Sequence, residues 1–121
     1  MSHALMRNAS DQCGLDGDSI SEMILPNVPA IILYASNMEH FALGGMFTLF
    51  KTRINDWVED TVEFTEQCIY DPACRTAETG AACHACLHVS EFNCEYFNEQ
   101  LDRRMLVGDA ATNLEAFWDL I

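Results

Sequence analysis

The sequence predicts a mainly helical α+β fold, a small helical domain with one buried strand or small sheet around a cysteine-rich segment. Three observations carry this. Apolar residues recur at helical spacing over about six turns from Gly45 to Gln67. "AIILYAS" at 30–36 is a short continuous apolar run rich in branched residues. Five of the six cysteines fall between positions 68 and 94. Half of the 121 residues are hydrophobic, enough for a core, and no repeat, low-complexity tract or Pro/Gly/Ser linker divides the chain. Residues 1–121 therefore read as one domain.

The elements follow in order. Residues 2–13 predict a short helix with Leu5, Ala9 and Cys13 on one face and Gly14 placed to end it. "SISE" at 19–22 is a capping-box pattern, and Ile20, Met23 and Ile24 give a brief apolar face before Pro26. Pro29 opens the apolar run, which predicts a strand buried on both faces, with its partner either unrecognised in this chain or supplied by another. In the long helix Met46, Phe47, Phe50, Ile54, Trp57, Val58 and Thr61/Val62 form the apolar stripe. Arg53, Asp56, Glu59, Asp60 and Glu63 lie on its outer face. Residues 68–90 have little periodicity. A further helix is predicted from Asn93, with Cys94, Phe97, Leu101 and Met105 on one stripe and Gly108 to stop it. Asp109 caps a last helix bearing Leu114, Phe117, Trp118 and Ile121.

The net charge is -13, nineteen acidic residues against six basic ones. Such a surface repels DNA phosphates and anionic membranes at long range, leaving Arg103–Arg104 as the local basic patch. The N-terminus lacks a basic segment leading into an apolar run, and "VPAIILYA" is too short to span a bilayer. A cytoplasmic protein with no membrane association is expected, where thiols stay reduced and clustered cysteines favour metal over disulfides.

Cys83-x-x-Cys86 is the most informative unit, because two intervening residues let both sulfurs turn toward one tetrahedral ion. Cys94, in the first turn of a helix, adds a third sulfur whose thiolate the helix N-terminus favours. The fourth comes from Cys74, after the Asp-Pro step of "YDPA", or from Cys68 at the end of the long helix. His84 and His88 are outside possibilities, and Cys74 is preferred. The expected four-cysteine zinc knuckle is thus Cys74, Cys83, Cys86 and Cys94, with Cys68 as the alternate fourth ligand. Cys13, alone on a helix face, reads as an inert core thiol.

A redox C-x-x-C pair needs a βαβ context, which is missing. A catalytic zinc needs an open position and a base. Glu91 is near, yet neither "HAC" nor "HVS" supplies H-x-E and no proline precedes Cys83. "LGG" at 43–45 is too short for a phosphate loop, G-x-S-x-G is absent, and the carboxylates follow helix-surface spacing. "LDRRM" suits phosphate less well than a surface pair such as Glu99–Arg103. The chain is expected to have no catalytic residues, with zinc as its one cofactor.

The ordered set "SHALMR", "LGGM", "CIYDPAC", "GAACHAC" and "NCEYFNEQLDRRMLVG" resembles a family. It is similar to the C-terminal zinc-binding domain shared by MrfA-type DNA-repair helicases and by DrmB, the helicase-associated subunit of DISARM anti-phage defence. The resemblance covers nearly the whole chain, and the CHAC-to-LDR block is its most specific part. It implies zinc on Cys83, Cys86 and Cys94 with Cys74 or Cys68, and ATPase motifs that reside elsewhere. The expected function is a non-enzymatic, zinc-stabilised interaction module of such a defence or DNA-processing complex. Its partner would be a helicase, a larger defence subunit or a second copy. A zinc-dependent nucleic-acid-binding domain, weak on DNA alone, and a free-standing acidic regulator that mimics DNA are the alternatives.

Overall fold

A computed structural model describes residues 1–36 and 44–121. Helix α1 spans Ser2–Cys13 and ends as predicted on Gly14, in the left-handed conformation (φ 64°), whose N–H donates to the Ser10 carbonyl. Two strands follow, β1 at Ile20–Leu25 and β2 at Ala30–Ala35, antiparallel with Ile20 opposite Ala35 and Leu25 opposite Ala30. Helix α2 covers Gly45–Glu66, and α3 is a single turn at Arg104–Val107 closed by Gly108. Short 3₁₀ turns at Gly17–Ser19, Glu91–Asn93 and Phe117–Leu120 link the rest. No described helix is long and apolar enough to cross a membrane.

The sheet corrects the expectation at two points. "SISE" opens a strand, not a helix, and that strand is the partner β2 needed. Nor is β2 buried on both faces: Ile31, Ile32 and Tyr34 are all exposed. The "LGG" stretch falls partly outside the description, at Leu43.

Helix α2 is apolar on two sides. Leu49, Trp57, Thr61 and Thr65 are buried, whereas Phe47, Phe50 and Ile54 of the predicted stripe face out. The backbone leaves helical values at Arg53 (φ -139°, ψ 27°), between the two halves. Asp56, Glu59, Asp60 and Glu63 are exposed as expected. The two predicted C-terminal helices shrink to α3, a bridge between Asp109 and Leu114, and the final 3₁₀ turn.

Apolar packing falls into two groups that α1 joins. Met6, Ala9, Ile20, Leu49 and Trp57 pack where α1, α2 and the hairpin meet. Ala4, Ala82, Leu87 and Leu106 pack around three cysteines, with Phe117 and Trp118 against them.

Candidate metal centre

The segment after α2 folds back on itself and brings Cys68, Cys74, Cys83 and Cys86 together, all four Sγ atoms within 4.8 Å of one another. Sulfur–sulfur distances are 3.5 Å for Cys68–Cys83, 3.8 Å for Cys74–Cys86 and 3.7 Å for Cys83–Cys86. A tetrahedron with Zn–S bonds of about 2.3 Å has sulfur–sulfur edges of about 3.8 Å. The donor set therefore fits one zinc ion in size and in chemistry.

Cys94 does not join them. It lies buried beside His3 and Glu22, its Sγ 3.1 Å from His3 Nε2. The predicted helix that was to aim it at the other sulfurs is replaced by turns, with Phe97 and Asn98 at positive φ. Cys68 stands in its place in the cluster, held at the exit of α2 by an N–H bond to Asp71 Oδ2 at 2.9 Å. Cys74 is set by its N–H bond to the Tyr70 carbonyl, also at 2.9 Å. Cys13 is partly buried against the Met6–Ala9 group, where burial pushes its thiol up.

In the knuckle, the Cys83 carbonyl accepts from the N–H groups of Cys86, Leu87 and His88 at 3.0–3.1 Å. Cys83 N–H points at Cys86 Sγ, 3.2 Å away. Burial pushes the Cys74 and Cys86 thiols up. It acts on Cys83 too, but the Ala85 and Cys86 N–H groups and the Cys68 and Cys74 thiols outweigh it and bring Cys83 to about 7. Backbone donors aimed at a sulfur favour a thiolate there, which is the form a metal takes up. His84 and His88 pack edge to face with ring centroids 4.8 Å apart, outside the cluster.

Three supports escaped the sequence reading. Arg103, expected on the surface, is fully buried. Its guanidinium donates to the carbonyls of Ala81 (2.9 Å) and Thr65 (3.3 Å) and to Asp71. Its N–H donates to Gly80, tying the cysteine loops to the end of α2. Gly80 must be glycine, because a Cβ there would sit 1.9 Å from the Leu101 carbonyl oxygen and φ is +77°. From α1, Arg7 donates to the carbonyls of His88 (2.7 Å) and Ala85 (3.3 Å), and His3 Nδ1 to that of Leu87 (2.9 Å). The usable signal was Arg7 one helical turn from His3.

The family described as MrfA Zn-binding domain matches residues 1–87. That span includes Cys68, Cys74, Cys83 and Cys86 but not Cys94. The chain is also similar to a DISARM protein DrmB of Bacillus paralicheniformis (strain ATCC 9945a / NCIMB 11709 / CD-2), 32% identical over 116 residues. The match covers 87% of this chain and 21% of that relative, so the chain spans about a fifth of the relative's length.

Proposed function

The chain belongs to the MrfA Zn-binding domain family and is a zinc-binding domain; from that premise we propose that it acts as a non-enzymatic interaction module. In this reading Cys68, Cys74, Cys83 and Cys86 hold the zinc. A site closed by four thiolates has no position for a substrate or an activated water, so the metal holds the chain in shape.

The observation that carries the interaction role is an apolar face left exposed among the described residues. Ile31 and Leu33 of β2 and Phe47, Phe50 and Ile54 of α2 line one groove, with Phe47 67% and Phe50 57% exposed. Exposed apolar side chains gathered on one face mark interaction sites. The occupant we assign is a larger protein subunit of a cytoplasmic, DISARM-like defence or DNA-processing complex. Support comes from the DrmB relative, in which the matching segment is one part of a chain almost five times longer.

Direct nucleic-acid binding has less support. Arg103 is 0% exposed and Arg104 is paired with Asp102, which removes the local basic patch from an acidic protein. The test is co-expression with the remainder of a DrmB-type chain as the candidate larger subunit. Stoichiometric association lost in Phe50→Asp, with zinc content unchanged, is the expected result. No association, or salt-dependent DNA binding insensitive to Phe50→Asp, would overturn the reading. Concentration-dependent self-association abolished by Phe50→Asp would give the face to a second copy instead.

A further inference from the structure

His3 from α1, Glu22 from β1 and Cys94 from the turn after residues 91–93 converge at a second point, separate from the four-cysteine cluster. All three are buried, at 2%, 6% and 5% exposure. One ligand atom from each lies within 4.8 Å of the others. His3 Nε2 is 3.1 Å from Glu22 Oε1 and 3.1 Å from Cys94 Sγ.

The protons do not close this group. The Leu87 carbonyl only accepts, so His3 Nδ1, 2.9 Å away, carries a hydrogen. In a neutral ring Nε2 then presents a lone pair to a carboxylate that also only accepts. The Cys94 thiol offers one hydrogen for that lone pair. Glu22 Oε2 is left buried with no hydrogen-bond partner among the described residues. With a second proton on the ring, Nε2–H and the Cys94 thiol can both turn to the Glu22 carboxylate, yet Oε2 still has no partner within hydrogen-bond distance among the described residues. Buried polar atoms without partners are rare because each is costly.

A dication satisfies the lone pairs that converge there, and a carboxylate can meet it through either oxygen or both. Imidazole nitrogen, carboxylate oxygen and thiolate sulfur each donate an electron pair, and Nδ1–H bonded to a carbonyl is the arrangement that fixes a metal-ligating histidine. Zinc bond lengths imply N···O and N···S separations of about 3.4 and 3.6 Å in a tetrahedral site. The observed contacts need open by only a few tenths of an ångström. The mixture of one soft and two harder donors suits zinc, whereas calcium and magnesium require oxygen throughout.

We propose that His3, Glu22 and Cys94 form a second zinc-class metal site, built across α1, β1 and the C-terminal turns. On entry Cys94 gives its thiol proton to solvent, and the ion bonds Nε2, Sγ and a Glu22 oxygen. This site would fasten the two terminal segments and the hairpin together, while the four-cysteine cluster fastens the middle of the chain.

The experiment counts and characterises zinc on the full chain after equilibration with excess zinc and desalting. Elemental analysis should give about two ions per chain, and about one in Glu22→Gln and in Cys94→Ser. X-ray absorption on the unaltered protein needs no variant to fold. It should show an average of about 2.5 sulfurs per zinc, the mean of a four-sulfur and a one-sulfur site. One ion per chain with an all-sulfur shell would overturn the proposal and leave the three residues as a proton-bridged clasp. Cys68→Ser separates the two sites, because it should lose the sulfur-rich ion and keep the mixed one.

Discussion

A guanidinium removed from water must find every acceptor inside the fold, and Arg103 does so with two backbone carbonyls and Asp71. Its hydrogen bond holds the Asp71 carboxyl below the usual range; desolvation works against Arg103 in return, but Asp71 together with Cys86 and Cys74 outweighs it and raises the guanidinium. The pair is uneven: the Arg103 side chain is 0% exposed and that of Asp71 25%, so the carboxylate keeps part of its hydration. Truncating the buried partner is therefore the more damaging change, since it orphans carbonyls at the end of α2 and in the cysteine loop. Arg103→Ala should destabilise the zinc-loaded protein by about 3–5 kcal/mol in denaturant unfolding. Arg103→Lys should recover little, because a single ammonium cannot match the planar fork. A loss below about 1 kcal/mol would show that the pairing behaves like a surface one.

At the scale of elements, α1 works as a brace. His3 and Arg7 lie one turn apart and capture the carbonyls of Ala85, Leu87 and His88, so the knuckle is fixed by a helix distant in sequence. Arg7→Ala should leave zinc stoichiometry intact but quicken zinc loss to a competing chelator. The expected factor is about tenfold or more, from lost hydrogen bonds to a charged donor worth about 1.5–3 kcal/mol. An unchanged release rate would mean that α1 merely packs there. The two long helices were legible in the sequence because their apolar spacing is local information. Strand β1 was not, because its buried residues Ile20, Ser21 and Glu22 do not alternate. Glu22 points inward to meet His3, and the local rule fails where a buried polar group sits. The cysteine cluster was legible as chemistry, but not its membership. The sequence favours Cys94 over Cys68 on a predicted helix start at Asn93, and the path of the chain between 87 and 103 reverses that order. That path depends on Asn98, whose side chain pairs with both backbone groups of Val89, a long-range choice no periodicity reveals.

The molecule as a whole joins two unequally built halves. Around the cysteines the buried apolar residues are small: Ala4, Ala82 and the sulfurs themselves, with Leu87 and Leu106 the largest. Between α1, α2 and the hairpin they include Met6, Ile20, Leu49 and Trp57. At about 1.5–3 kcal/mol for each large apolar side chain buried, the second group holds itself together far better than the first. The first half must draw its stability from metal, since zinc-binding energy there is folding energy. Helical content is distributed the other way, with α1 and α2 holding 12 and 22 residues and α3 only 4. Removing zinc should therefore open the cysteine half and spare most of the helix. Trp118, whose indole donates to Thr65 Oγ1, reports the first half, and Trp57, whose indole donates to the Leu5 carbonyl, reports the second. Single-tryptophan variants make the two visible separately. With a strong chelator at neutral pH, the Trp118 emission of Trp57→Phe should shift to the red, while the Trp57 emission of Trp118→Phe and the far-ultraviolet helical signal should change little. Lower pH should favour the same opening, because burial raises the Cys74 and Cys86 thiols and protons then compete with zinc for their sulfurs. Loss of both tryptophan signals and of helicity at one chelator concentration would instead make the chain a single cooperative unit, with α1 transmitting the collapse from His3 and Arg7 to Trp57.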